Sequence, residues 1–207
     1  MNLEETRKYI NDRLFAKLKP LVEKLYGIIV YSDYAFIEPE ESYQLLKDIS
    51  IISGELFGNK QNRDEFEELL KSTVVDSEQY RAKSETFRML RNFMVHFPIF
   101  ETWEEIFITK NMLRWANDKA GTIERYFSDN KGKTLEFSIY TRNDYFYKKA
   151  KEFKILIPEL KASETIYLKD IVSFEDVLWM FTLVGYYLEC KEWRVEPDRR
   201  YFGCISA

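Results

Sequence analysis

Cysteine is nearly absent from this chain of 207 residues, with Cys190 and Cys204 the only two. Two thiols are too few for a disulfide scaffold, and a reducing compartment would keep both as structural thiols. Histidine is scarcer still, with His96 alone. A zinc site needs about four Cys, His or carboxylate ligands at short spacings, which one histidine and two distant cysteines do not provide. No apolar run approaches the roughly 20 residues that span a bilayer. The opening Met1-Asn2-Leu3-Glu4-Glu5-Thr6-Arg7 has neither the charge nor the apolar stretch of a signal peptide. The expectation is a cytoplasmic protein with no membrane partner. There is no Gly-x-x-x-x-Gly-Lys loop and no glycine-rich turn after a strand, so nucleotide hydrolysis and dinucleotide binding have no support. Nothing marks a serine or cysteine nucleophile beside His96. A net charge of −4 excludes a general attraction for polyanions, because that attraction comes from many Lys and Arg releasing counterions. Any RNA contact must be local.

What remains is ordinary globular material rich in rings. Hydrophobic residues make up 45% of the chain and charged residues 32%, which argues for a packed core. Aromatics at 16% can supply much of that core, since each ring buries about 150 to 250 Å². Tyr9, Ile10, Leu14, Leu18, Leu21, Leu25 and Ile28 recur every three or four residues, which predicts a long amphipathic helix containing Pro20. Glu38-Pro39-Glu40 opens a second helix through Tyr43, Leu46, Ile49 and Leu56, ended by Gly58-Asn59. Asn62 or Asp64 can cap a shorter helix through Leu70. Asp76 or Ser77 can cap the next, which runs to His96 and stops at Pro98.

Further on, the pattern from Thr102 to Trp115 reads as helical. Gly121 and Asn130-Lys131-Gly132 bracket a short piece around Ile123 and Phe127. Leu135, Phe137 and Ile139 alternate with polar residues as in a half-buried strand. Ser173-Phe174-Glu175-Asp176 resembles a capping box before an apolar helix through Leu188, broad enough in its apolar positions for burial on more than one side. There is no repeat, low-complexity segment or Gly/Ser linker. The expected class is mainly α, an up-and-down helical bundle over residues 1–120. A small strand-containing extension over 121–207 packs on the same unit.

The chemistry concentrates around the single histidine, because imidazole is the side chain whose ordinary pKa suits proton transfer at neutral pH. Projected at about 100° per residue, Phe87, Leu90, Phe93, Met94 and Phe97 fall on one helix face, the expected core. Arg88, Asn92 and His96 line up opposite, with Arg91 beside them. Arg91 and His96 stand about 140° apart round the helix, so the arginine must reach round to act with the imidazole. Arg81, Lys83 and Arg88 extend this into a basic patch whose guanidinium geometry suits phosphate oxygens. Internal RNA cleavage needs a base for the 2′-hydroxyl, charge stabilisation of the phosphorane and an acid for the 5′-oxygen. Histidine and arginine cover two of these three roles.

Arg91-Asn92-Phe93-Met94-Val95-His96 resembles the defining motif of HEPN proteins: an Arg, a polar residue, a few mostly apolar residues and a His near the end of a late bundle helix. Those six residues carry the match, while residues 1 to 120 resemble the family in organisation only. The resemblance implies that His96 and Arg91 are catalytic and that Asn92 positions or polarises them. It further implies RNA cleavage without a metal or other cofactor, leaving a cyclic 2′,3′-phosphate. Family members commonly act as toxins with an antitoxin partner, in phage defence, or in RNA processing, and they form dimers. The sequence adds its own reason for a homodimer. One histidine cannot be base and acid at once, whereas two copies about a twofold axis would bring two His96 and two Arg91 into one cleft. The alternative is a non-catalytic module that holds RNA, nucleotide or a protein partner on the same face.

Other groups are weaker candidates. Glu101, Glu104 and Glu105 could move a second proton, although acidic residues in a first helical turn ordinarily serve the macrodipole. Asn111, Arg114 and Lys119 could extend the basic surface. Trp103 and Trp115 could stack a base, but packed rings are the commoner case. The run Arg194, Asp198, Arg199, Arg200, Tyr201 reads mainly as solvated surface.

Overall fold

Apolar residues at helical spacing produce most of the chain's regular structure. The computed structural model describes residues 2–31, 39–72, 77–97, 99–115, 118–142 and 148–193. Helices α1 (Leu3–Tyr31), α2 (Pro39–Leu56), α3 (Lys60–Ser72) and α4 (Ser77–His96) come first. A 3₁₀ turn at Trp103–Glu105, strand β1 (Phe107–Ile108) and the short helix α5 (Lys110–Trp115) follow. After α6 (Asp118–Asn130), β2 (Thr134–Arg142) and β3 (Lys148–Leu156) form an antiparallel hairpin. β4 (Ile166–Tyr167) pairs with β1, a 3₁₀ turn at Leu168–Asp170 follows, and α7 (Phe174–Trp193) completes the described chain. The mainly helical class expected from the sequence holds, with its small sheet among the C-terminal residues. No helix among the described residues is long and apolar enough to cross a membrane.

The C-terminal helix is central to the packing. Ser173 Oγ accepts the Asp176 backbone N–H at 3.1 Å, the expected cap, and residues 177 to 188 are all buried. α7 lies along α1, where Leu18, Val22, Leu25 and Ile29 turn inward, and it also meets α2 and α3. Gly185 allows the close approach to α1: a Cβ there would lie 2.4 Å from Val22 Cγ1 and 2.7 Å from the Tyr26 hydroxyl oxygen. That hydroxyl donates to the Thr182 carbonyl at 3.1 Å. A boundary at residue 120 therefore does not mark two packing units, because α6 crosses it and α7 fills the core between the early helices.

α4 is enclosed by α2, α3, α6 and β2, so it presents buried residues in several directions. Thr86 on α4 and Tyr126 on α6 share a buried hydroxyl–hydroxyl bond of 2.6 Å. On the hairpin, Leu135, Phe137 and Ile139 are buried as the alternation predicts, and Phe137 stacks on Phe153 with centroids 5.0 Å apart.

Three expectations are corrected. The span Thr102–Trp115 is not one helix. Ile106 and Ile108 are both fully buried, the backbone N–H of Leu168 bonds the Ile106 carbonyl at 2.9 Å, and the Trp103 indole donates to the Val172 carbonyl at 3.1 Å. Pairing with the later chain satisfies this backbone in place of a helical ladder. Gly121 lies inside α6 and does not bracket it. α3 is capped by Asn59, whose Oδ1 accepts the Gln61 N–H at 2.9 Å, while Asn62 turns inward and donates to the Leu56 carbonyl at 3.0 Å.

Phe181 tests whether the last helix belongs to the same core, since its ring lies 4.7 Å from that of Phe87 on α4. Phe181→Ala is expected to cost about 3–5 kcal/mol in urea denaturation of the full chain. A loss below about 1 kcal/mol would show that α7 packs independently of α4.

Candidate functional site

Arg81, Ser84, Arg88 and Arg91 recur on α4 at spacings of three, four and three, which puts them on one stripe. The stripe forms one wall of a cleft of about 580 Å³. α3 supplies the opposite wall with Arg63, Phe66 and Glu67, and the C-terminal end of α2 closes it with Ser53, Gly54 and Phe57. Aromatic packing makes the floor rigid: Phe57 stacks on Phe66 with centroids 4.4 Å apart, and Phe66 meets Phe87 edge-on at 5.3 Å. Volumes of this size are typical of ligand sites.

Arg91 is the best-defined group in the cleft. The Nε–Nη2 edge of its guanidinium faces α2 where Gly54 has no side chain, and a Cβ there would fall 2.6 Å from both Nε and Nη2. Nη1 donates to the Asn92 Oδ1 at 3.1 Å, while Nε is buried without a hydrogen-bond partner. Burial holds the guanidinium below its ordinary pKa, opposed by the charge of Glu55, which acts through space. An arginine so placed remains charged at neutral pH, with part of its donor fork unmatched. The unmatched Nε is turned to α2, so what the cleft gains from this group is its positive charge, which favours an anion there.

The remaining charges are unevenly engaged. Arg81 donates to Glu85 at 3.0 Å, and its side chain is 79% exposed. Glu85 also accepts from the Asn130 amide at 3.3 Å, and Glu67 accepts from the Tyr80 hydroxyl at 3.3 Å. Burial, with Glu67 beside it, pushes Tyr80 up to about 12, so this phenol stays protonated. Neither Arg63 nor Arg88 has a carboxylate partner among the described residues. A broader groove of about 780 Å³ beside the first half of α1 also sets four cations, Arg7, Lys8, Lys19 and Lys191, against two carboxylates, Glu4 and Asp12. Lys191 pairs with Glu65, however, and Phe15 is the single ring in its lining, so it lacks the aromatic floor of the arginine cleft.

The sequence-predicted residues divide accordingly. The cleft collects Arg81, Arg88 and Arg91. Asn92 does not lie on a solvent face: it is buried, since α4 is packed on more sides than a single-core projection assumes, and from inside it braces Arg91. Lys83 is buried too, with Nζ 5.0 Å from the centroid of Phe137, so the hairpin takes it out of the basic surface. His96, half-buried at the last position of α4, does not line the cleft. It stands about 7.5 Å along the helix axis from Arg91 and about 140° round it.

Among the weaker candidates, Trp103 is buried, Glu104 pairs with Lys169 at 3.1 Å, and Glu105 accepts the Glu101 backbone N–H at 3.1 Å. The side chains of Arg114, Trp115 and Lys119, and the run Arg194 to Tyr201 with Cys204, lie outside the described residues. Among the described residues, no group of three or more His, Cys, Asp and Glu is placed to hold a metal ion. Sequence reasoning missed Arg63, Gly54, Phe57 and Tyr80. Nothing in their spacing connects them to α4 before the helices pack. Neither family models nor curated proteins nor solved structures give a match to this chain.

Replacing Arg91 separates a structural cation from a functional one. Arg91→Met is expected to leave stability in urea unchanged or raise it by about 1 kcal/mol, because removing a poorly compensated buried charge relieves its desolvation. A loss above about 2 kcal/mol would make the guanidinium a structural element of the α2–α4 contact.

Proposed function

We propose that this chain is a metal-independent endoribonuclease of the HEPN type, cleaving RNA by attack of a 2′-hydroxyl on the adjacent phosphorus. The observation that carries the reading is Arg91. Its guanidinium is desolvated on one side, braced by Asn92 and bonded to no carboxylate among the described residues, in a cleft with three further arginines. The only histidine of the chain follows it on the same helix.

In this reading one imidazole takes the 2′-hydroxyl proton as the oxygen bonds to phosphorus. Arg91 stabilises the charge on the pentacovalent phosphorane, and a protonated imidazole gives its proton to the departing 5′-oxygen. The products are a cyclic 2′,3′-phosphate and a 5′-hydroxyl. A second copy of the chain supplies the second His96, because one ring cannot start the step both deprotonated and protonated. The end of α4 offers apolar surface for that copy. Ile99 is 66% exposed and Ile51 46% exposed. Gly54 abuts Arg91 and Ser50 meets Met94, so Ile51 sits level with Val95.

One observation favours a second reading, a module that binds RNA or nucleotide without turnover: His96 does not line the arginine cleft of its own chain.

The test incubates the purified protein with mixed RNA in EDTA and identifies the product ends. Cyclic-phosphate ends are expected from the wild type, with loss of cleavage in His96→Ala. Gly54→Ala should cut the rate by about 100-fold, because a methyl group placed against Arg91 moves a group that must be held to within about 1 Å. Cleavage that survives His96→Ala would defeat the proposal. RNA affinity without cleavage would establish the binding module.

A further inference from the structure

The arginine stripe is longer than a single phosphate requires. Arg81 and Arg91 are ten residues apart on α4, about 15 Å along the axis. Arg88 lies between them and Arg63 faces the stripe from α3. Four arginines therefore line the cleft against two carboxylates. Both carboxylates are already engaged, Glu85 by Arg81 and Asn130, and Glu67 by Tyr80. Ring surface is available beside the charges, because Phe57 and Tyr80 line the cleft half-buried above the buried Phe66 and Phe87.

A line of cations next to aromatic rings is how proteins hold single-stranded nucleic acid. The cations follow the backbone, and the rings stack bases that a duplex keeps stacked on each other. A cleft of about 580 Å³ has room for a base and its sugar. We propose that this cleft is a track for single-stranded RNA. Arg81, Arg88 and Arg63 contact successive phosphates, and a base unstacked from its neighbours lies against Phe57. The strand leaves the track at Arg91, at the end of α4 that carries His96. This rests on the ribonuclease reading and specifies its substrate as unpaired RNA.

The experiment measures fluorescence anisotropy of a labelled single strand of about eight nucleotides, and of the same sequence as a duplex. It uses the full-length His96→Ala protein in EDTA over a range of salt. The single strand should bind at least about tenfold tighter than the duplex. Arg63→Ala and Arg88→Ala should each lower the slope of log affinity against log salt by about 0.7. Phe57→Leu should weaken binding by roughly 5- to 100-fold with the slope unchanged. Phe57 also packs on Phe66, so the exposed Arg63 carries the test if the Leu variant folds poorly.

Equal affinity for the duplex would overturn the track, as would unchanged binding in both arginine variants. A free mononucleotide competing as strongly as the strand would overturn it too, since one phosphate would then suffice. Cyclic-phosphate cleavage by a wild type whose Arg63→Ala and Arg88→Ala forms bind normally would remove the track and leave the ribonuclease standing. Normal track behaviour with no cleavage would remove the ribonuclease and leave the single-strand site.

Discussion

The structure depends on one aromatic cluster where four helices meet. Phe57 at the end of α2, Phe66 on α3, Phe87 on α4, and Phe181 and Tyr187 on α7 touch in sequence, with centroids 4.4 to 5.8 Å apart. Each ring pair contributes about 0.5–1.5 kcal/mol beyond its burial, and together the pairs fix the relative positions of the helices. Three of these rings, Phe57, Phe66 and Phe87, are the floor of the arginine cleft. A packed floor allows little relaxation, so the distance between Arg63 on α3 and the α4 arginines is set by the core and not by a loop. Tyr187 ties the cluster outward by donating to Glu65 at 3.2 Å. Burial works against ionisation of Glu65, but hydrogen bonds from Lys191, Gln61 and Tyr187 hold its carboxyl below its ordinary pKa. That contribution is present above the ordinary carboxylate range and is lost as pH falls through the lowered value.

Arg91 sits on this frame at some cost to it. A polar donor buried without a partner is unfavourable, and an apolar residue there would pack against α2 at less cost. Gly54 adds a second local cost, since glycine inside a helix is less favourable than alanine by roughly 0.5–1 kcal/mol. The two costs fall on one contact, because the missing side chain of Gly54 is the space the guanidinium occupies. Such concentration of unfavourable choices is characteristic of functional sites more than of packing.

Legibility from sequence followed the number of packing partners. α7 was readable because its cap is local and its apolar residues are continuous, and the hairpin because residues 134–142 alternate. Thr102–Trp115 was not, because its short apolar pattern fits helix and strand equally until β4 offers pairing. On α4, the gathering of Arg81, Arg88 and Arg91 into one basic region was readable from spacing, although the projection aligned Arg88 with Asn92 and His96 and put Arg91 beside them. The inward placement of Asn92 and Lys83 does not, because a single-helix projection assumes one core while α2, α3, α6 and β2 press on α4 from several directions. Arg63 and Gly54 gain their meaning only from tertiary contact.

The distribution of paired and unpaired charge points the same way. Lysines on the described surface are commonly matched, as in Lys154 with Glu136 at 2.6 Å, Lys131 with Glu159 at 3.4 Å, and Lys151 between Glu175 and Asp176. Exposed pairs of this kind add little stability, but they show that carboxylates are within reach across the surface. In a chain with 35 acidic and 31 basic residues, cations left without carboxylates do not arise from a shortage of anions. Arg63, Arg88 and Arg91 nevertheless share a cleft in which the carboxylates are bonded elsewhere. An acidic chain repels polyanions through its net charge, and a ring-floored cleft whose carboxylates are already bonded offers them a local contact. That combination favours a specific strand contact over general adhesion to nucleic acid.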